Sequence, residues 1–214
     1  MKHITRVHVA ATLTLAAGLA LAGCGNSDNT QPGGSASSSS MPGMNHETMA
    51  PTTAATLTAP VDHNDSDVEF ATGMIPHHRQ AVEMADMALK QAKSASVKQL
   101  ATAIKAAQGP EIQQMSGWLT GWVKPVPSPG MGHSMPGGGM MTEQEMTDLG
   151  KASGAAFDRM WVQMMIKHHQ GAVAMAKTEQ ASGQSAKAIE LAKTIEAAQA
   201  AEIATMQKLL TQLP

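Results

Sequence analysis

Aromatic residues are nearly missing from this 214-residue chain, which has no Tyr, two Phe and three Trp. Strands of a sandwich or barrel draw on aromatic and β-branched side chains, so this supply argues against an all-β fold. Cysteine occurs once, which excludes a disulfide framework. Charged residues make up only 15%, the net charge is −2, and no basic cluster exists. That combination argues against a nucleic-acid partner. What the chain does have is Ala, Leu, Gln and Met, a composition that suits helices. Met contributes 18 residues and His nine.

The first 23 residues read as an address. Lys2 and Arg6 form a positive start, and Val7 to Ala22 is an apolar run too short to be read as a membrane span. It ends in Leu21-Ala22-Gly23-Cys24, which looks like a bacterial lipobox. Small residues fit the lipoprotein signal peptidase, and the Cys24 thiol would receive the lipid. Cleavage before Cys24 leaves 13 basic against 17 acidic residues. The expected location is therefore extracytoplasmic, with the N-terminal lipid as the only membrane contact. Residues 24–64 read as a disordered tether, because Gly33 to Ser40 is nearly all Gly and Ser.

Residues 65–214 carry an internal repeat with an offset of 91. Met74-Ile-Pro-His77-His78 lies over Met165-Ile-Lys-His168-His169, and Ala81-Val-Glu-Met84-Ala85 over Ala172-Val-Ala-Met175-Ala176. Leu100-Ala101, Ile104, Gln108, Glu111-Ile112, Met115 and Leu119 continue the match without a gap. Twenty of the 50 positions from 70 to 119 are identical to their partners, which identifies a duplicated structural unit. Each unit reads as a helical hairpin, at about 66–123 and about 153–212, joined by a Met/Gly-rich linker at 124–141. Ser66-x-x-Glu69 is expected to open the first helix as a capping box, Thr142-x-x-Glu145 to open a short extra helix, and Gly183 to close the third long one. Pro76 and Pro110 fall inside helices, where each removes one backbone hydrogen bond and is expected to kink its helix. The predicted fold is all-α, a four-helix bundle made of two related hairpins plus a short helix in the connection.

The chemistry follows from the helical register. At 100° per residue, His77 and His78 flank the apolar stripe of Met74, Ala81, Met84 and Ala85. In the next helix Gln108 and Glu111 fall on the stripe of Ile104 and Met115, where a bundle normally places Leu. The copy repeats this with His168, His169, Gln199 and Glu202. A buried carboxylate without a partner costs several kcal/mol. In one reading Glu111 and Glu202 hydrogen-bond the histidines and serve packing alone. In the other, the imidazoles and the thioethers of Met74, Met84, Met165 and Met175 bind a metal, with the glutamates as ligands or as orienters of a histidine. Thioether selects Cu(I) over Zn²⁺, Mg²⁺ or Fe.

Met residues also cluster off the helices. Met41, Met44, His46 and Met49 lie in the tether, and Met131, His133, Met135, Met140 and Met141 in the linker. An apolar side chain in a polar, flexible stretch gains nothing from packing, and spaced Met with interleaved His is what a Cu(I) capture arm needs.

The doubled Met-Ile-x-His-His-x-x-Ala-Val-x-Met-Ala motif, the Phe157-Asp158-Arg159 lead-in and the Gln-x-x-Glu-Ile partner helix resemble the domain-of-unknown-function 305 family. The resemblance covers about residues 65–214. It implies a ferritin-like bundle in a secreted or lipid-anchored bacterial protein, and some members are associated with copper binding and resistance. True di-iron members of the ferritin-like class carry Glu-x-x-His on two helices; no Glu-x-x-His occurs in this bundle, which counts against oxidase chemistry. The expected function is that of a lipid-anchored extracytoplasmic copper binder that buffers, sequesters or hands over copper. The alternatives are a metal-dependent oxidase in the core, or a structural or partner-binding head without metal. A homo-oligomer or a copper-transfer partner protein is compatible with either binding role.

Overall fold

A computed structural model describes residues 62–129 and 138–214. The signal segment with Cys24, the tether residues Met41, Met44, His46 and Met49, and Met131, His133 and Met135 lie outside the described residues. The helices in chain order are α1 (Asp65–Gln91), α2 (Ala95–Gly121), α3 (Glu143–Lys151), α4 (Gly154–Ser182) and α5 (Ala186–Gln212). No strand occurs among the described residues, and none of these helices is long and apolar enough to cross a membrane.

Helix α1 opens two residues earlier than Ser66-x-x-Glu69 suggests. Asn64 is the N-cap, its side chain accepting from the Asp67 amide at 3.1 Å while Asp67 accepts from the Asn64 amide at 2.6 Å. Asn caps as well as Ser does, and Asp67 is needed on the inward face. His63 and Asn64 thus belong to the fold and not to a tether, with the His63 ring stacked on Trp122 at 4.5 Å. Helix α3 has the expected Thr142–Glu145 capping box. Gly183 does follow α4, but with φ −68 and not in the left-handed conformation. A Cβ there would lie 2.4 Å from Glu179 Oε1, so the glycine is required by space. At the end of α2 the left-handed residue is Val123, φ 57, with Lys124 N–H donating to Leu119 O at 2.8 Å.

Helices α1 and α2 form one hairpin, α4 and α5 the other, and the hairpins meet mainly along α1 and α4. The buried apolar residues form two separate clusters. One joins Ala81, Met84, Ala85 and Ala88 of α1 to Phe157, Trp161 and Met165 of α4 and Met206 of α5. The other joins Phe70, Met74 and Ile75 to Met115, Leu119, Ala172, Ala176 and Ile195. The N-terminal half of α1 thus lies against the C-terminal half of α4, so the two inner helices are antiparallel and the repeat is folded about a pseudo-twofold axis. Trp161 Nε1 donates to Met84 O at 2.8 Å, so its buried indole is satisfied.

The hairpins hold each other's turns. Asp158 of α4 accepts from the amides of Lys93 and Ser94 in the α1–α2 turn, at 3.0 and 2.8 Å. Asp67 of α1, exactly one repeat earlier, accepts from Gln184 and Ser185 in the α4–α5 turn, at 3.2 and 2.9 Å. Both carboxylates are buried. Each therefore supplies to a turn the acceptors that its orphaned N–H groups require. Asp158→Ala is expected to destabilise the protein by about 2–4 kcal/mol, because a buried carboxylate and two donors lose one another. Urea unfolding followed by circular dichroism measures this; a loss within about 0.5 kcal/mol, the scale of an ordinary surface substitution, would refute the clasp.

Candidate metal centre

Between the two apolar clusters lies a polar belt. Helical spacing places the adjacent pairs His77–His78 on α1 and His168–His169 on α4 at the same height, because the inner helices are antiparallel and cross there. All four side chains are buried, and Gln108 and Gln199 lie buried on the flanking helices. His77 and His168, repeat partners, face each other across the pseudo-twofold with ring centroids 3.7 Å apart and planes tilted by 40°. The centroids of His168 and His169 are 6.3 Å apart.

Each outer helix contributes one carboxylate. His78 Nε2 lies 2.7 Å from Glu111 Oε2, and His169 Nε2 lies 2.7 Å from Glu202 Oε2. The same bond thus occurs in both repeats, joining α1 to α2 and α4 to α5. His77 Nε2 bonds the carbonyl of Gly138 at 2.8 Å. Nδ1 of His77, His78 and His169 has no hydrogen-bond partner, and neither nitrogen of His168 has one in good geometry, although the His77 backbone lies against that ring. Both side-chain polar atoms of Gln108 and Oε1 of Gln199 share that condition. Buried polar groups normally find a partner, so each of these atoms calls for one.

Burial, followed by the neighbouring His78 and His169, pulls the His77 imidazole down to about 3, against a smaller upward effect of the Gly138 carbonyl. Burial, followed by His77, His169 and His78, holds His168 well below its ordinary value, against a smaller upward effect of the His77 backbone. Both rings are therefore neutral near pH 7, the state in which imidazole offers a lone pair to a metal.

The methionines divide. Met74, Met84 and Met165 are wholly buried on the two sides of the belt. Met175 is partly buried and lies across from Gly73; a Cβ on Gly138 would meet its Sδ at 3.7 Å. Its thioether is thus beside the carbonyl that holds His77. Among the described residues, no group of three His, Cys, Asp or Glu side chains forms a metal-holding cluster. The structure brings the four histidines and two glutamates into one belt, but not onto a single point.

The end of the linker is part of the fold. Gln80 is buried and clamps Met141 by donating from Nε2 to its carbonyl at 2.8 Å and accepting its amide at Oε1 at 2.7 Å. The Met141 side chain packs into the first apolar cluster with Met146 and Leu149. The expectation that apolar side chains in this stretch gain nothing from packing therefore fails at Met141, whereas Met140 remains partly exposed. Gly138 and Gly139 press on α4 at Gly171, where a Cβ would lie 1.5 Å from the Gly138 carbonyl. Only glycine at 171 permits this approach. Sequence reasoning overlooked Gln80 and Gly171, although they are aligned repeat partners and differ in a strongly matched segment. It also overlooked Glu179, the partner of Ala88. Burial and the adjacent Asp67 push the Glu179 carboxyl up to about 8.

Residues 67–210 match the model of a family described as a domain of unknown function, DUF305. Among solved structures, the chain is similar to a putative secreted DUF305 protein from Streptomyces coelicolor (35% identity, TM-score 0.63, covering 69% of this chain and 91% of that one). It is also similar to a DUF305 fragment from Deinococcus radiodurans (31%, 0.64, 70% and 98%). A third similar structure is CopM in a Cu(II)-bound form (34%, 0.61, 68% and 96%). CopM has also been solved in Cu(I)-bound, Ag-bound and apo forms. No curated protein matches the chain.

The buried titratable groups give the metal-free protein a two-sided pH dependence. Below about 6.5 the unfolded chain protonates His77 and His168 while the native state keeps them neutral. Stability therefore falls as pH drops below that value, by at most about 1.4 kcal/mol per pH unit for each ring. Glu179 acts with the opposite sign. Its contribution is complete below its ordinary value of 4.5 and is lost as pH rises to about 8. Urea midpoints from pH 4 to 9 in a chelator should show both limbs, and Glu179→Gln should flatten only the alkaline one. A profile unchanged by Glu179→Gln would refute the assignment.

Proposed function

The chain belongs to the DUF305 family, and from that premise we propose that it is a lipid-anchored extracytoplasmic protein that binds copper. It buffers or sequesters the metal, or hands it to a partner protein. The observation that carries this reading is the histidine belt: four buried imidazoles, with Nδ1 of His77, His78 and His169 unpartnered and His168 lying against the His77 backbone. Packing alone accounts for the two His–Glu bonds, but it leaves Nδ1 of His77, His78 and His169 buried without a partner. A metal would draw on the unpartnered nitrogens of His77, His78, His168 and His169, with soft donors available in Met74, Met84, Met165 and Met175. Glu111 and Glu202 support the rings from the outer helices. Met41, Met44, His46, Met49, Met131, His133, Met135 and Met140 form the capture arms. Met141 is assigned to packing. The similarity to a protein solved with Cu(I), Cu(II) and silver supports copper as the cargo, and thioether donors favour its monovalent form.

Copper should raise the melting temperature of the wild type with increasing concentration, since a ligand held only by the native state stabilises it by about 2.7 kcal/mol at a hundred times its dissociation constant. Replacing His77, His78, His168 and His169 with Ala should remove most of that rise. Calorimetry with Cu(I) under a competing chelator provides the measurement. No rise in the wild type, or a full rise in the quadruple variant, would refute a copper site in the belt.

Anchoring rests on Leu21-Ala22-Gly23-Cys24, and the secreted relative is in keeping with export. Cys24→Ala should move the protein from the membrane to the soluble extracytoplasmic fraction. Continued membrane association after fractionation would rule out the lipid anchor.

A further inference from the structure

The hydrogen bonds around the belt decide which atom of each imidazole is free to bind a metal, a question that rests on the copper reading above. A neutral imidazole has one N–H and one lone pair, and the partner of one nitrogen fixes the role of the other. An ionised carboxylate at Glu111 Oε2 or Glu202 Oε2, and the Gly138 carbonyl, can only accept. They lie 2.7, 2.7 and 2.8 Å from Nε2 of His78, His169 and His77 respectively. The proton of each ring is therefore on Nε2, and the lone pair is on Nδ1. In all three rings Nδ1 is the buried nitrogen without a partner. A proton there as well would bury a second N–H with no acceptor.

We propose that Glu111 and Glu202 are positioning residues and not metal ligands, and that His77, His78 and His169 offer Nδ1, and not Nε2, as the donor atom to soft monovalent cations. Each glutamate reaches its ring from the outer helix and retains solvent contact, with 17% and 23% of its side chain exposed. It holds the Nε2 proton outward, and the metal-facing lone pair is directed away from the carboxylate. This is the carboxylate–histidine–metal arrangement, in which the outer partner fixes the tautomer and raises the basicity of the donor. The Gly138 carbonyl does the same for His77, with a backbone acceptor in place of a side chain. His168 differs from the other three in having no acceptor in good hydrogen-bond geometry at either ring nitrogen.

Long-range proton–nitrogen NMR of the ¹⁵N-labelled, metal-free protein reads the tautomers directly. His77, His78 and His169 should each show Nε2–H and an unprotonated Nδ1. Titration with Ag(I), a diamagnetic monovalent probe, should shift their Nδ1 signals and leave the Nε2 protons in place. In Glu111→Gln and Glu202→Gln an amide oxygen still accepts, so the tautomers and the number of bound ions should be kept. Affinity should fall by about ten- to a hundred-fold, as for other outer partners of a metal-bound histidine. An Nδ1–H tautomer in the metal-free protein, or loss of a bound ion in either Gln variant, would overturn the positioning assignment while leaving the copper reading intact. If no histidine signal responds to Ag(I), the copper reading falls and the donor assignment falls with it, whatever tautomers the metal-free spectrum records.

Discussion

Burying four imidazoles at mid-height of a helical bundle is the constraint to which the surrounding residues respond. The rings divide the apolar core into two clusters, so neither half has a continuous stripe of large aliphatic side chains. A helix pair interrupted in this way loses part of the burial that normally holds it. The outer helices restore some of it by carrying Glu111 and Glu202 inward to the rings, at the positions where Leu would otherwise pack. The polar belt is therefore a joint between helices as well as a candidate site.

Duplication makes that joint symmetric, and the reciprocal aspartates extend the symmetry to the ends of the bundle. Asp67 and Asp158 each cross from one hairpin to the turn of the other. Neither hairpin then completes its own turn, which couples the two units more tightly than apolar contact between α1 and α4 alone would do. The repeats also depart from symmetry. Gln80 clamps Met141 while Gly171 admits Gly138 and Gly139, so the linker end lies over the His77 face. Glu179 joins Asp67 where the first unit has Ala88, and this makes one clasp proton-dependent. His77 and His168 begin as equivalent residues and end in different environments because one chain segment can cover only one of them.

The fold and much of the belt were legible in the sequence for a definite reason. A gapless 91-residue offset means that the two hairpins share one register, and helical periodicity then places His77, His78, Gln108 and Glu111 on inward faces. The amino acids themselves state the conflict: carboxylates at stripe positions must find partners, and the next helix offers imidazoles at the same height. Helix starts were less legible, because Asn64 and Ser66 both lie ahead of an acidic residue three positions later and both satisfy the local rule. The choice went to Asn64 because Asp67 must face inward to reach Gln184 and Ser185. That contact spans more than a hundred residues and has no local signature.

The sequence by itself determined the duplicated all-α class, the pairing of each His-His motif with a Glu on the next helix, and the candidate export and lipidation signal, since each depends only on spacing or on short-range order. Tertiary structure alone decided that His77 and His168 meet ring to ring, that Met141 leaves the linker for the core, and that Nε2 in place of Nδ1 faces Glu111 and Glu202. Those outcomes depend on how antiparallel helices cross and on which way a ring turns within its rotamer. A one-dimensional pattern carries neither, because the same inward-facing histidine can offer either nitrogen to its neighbour until the neighbouring helix is in place.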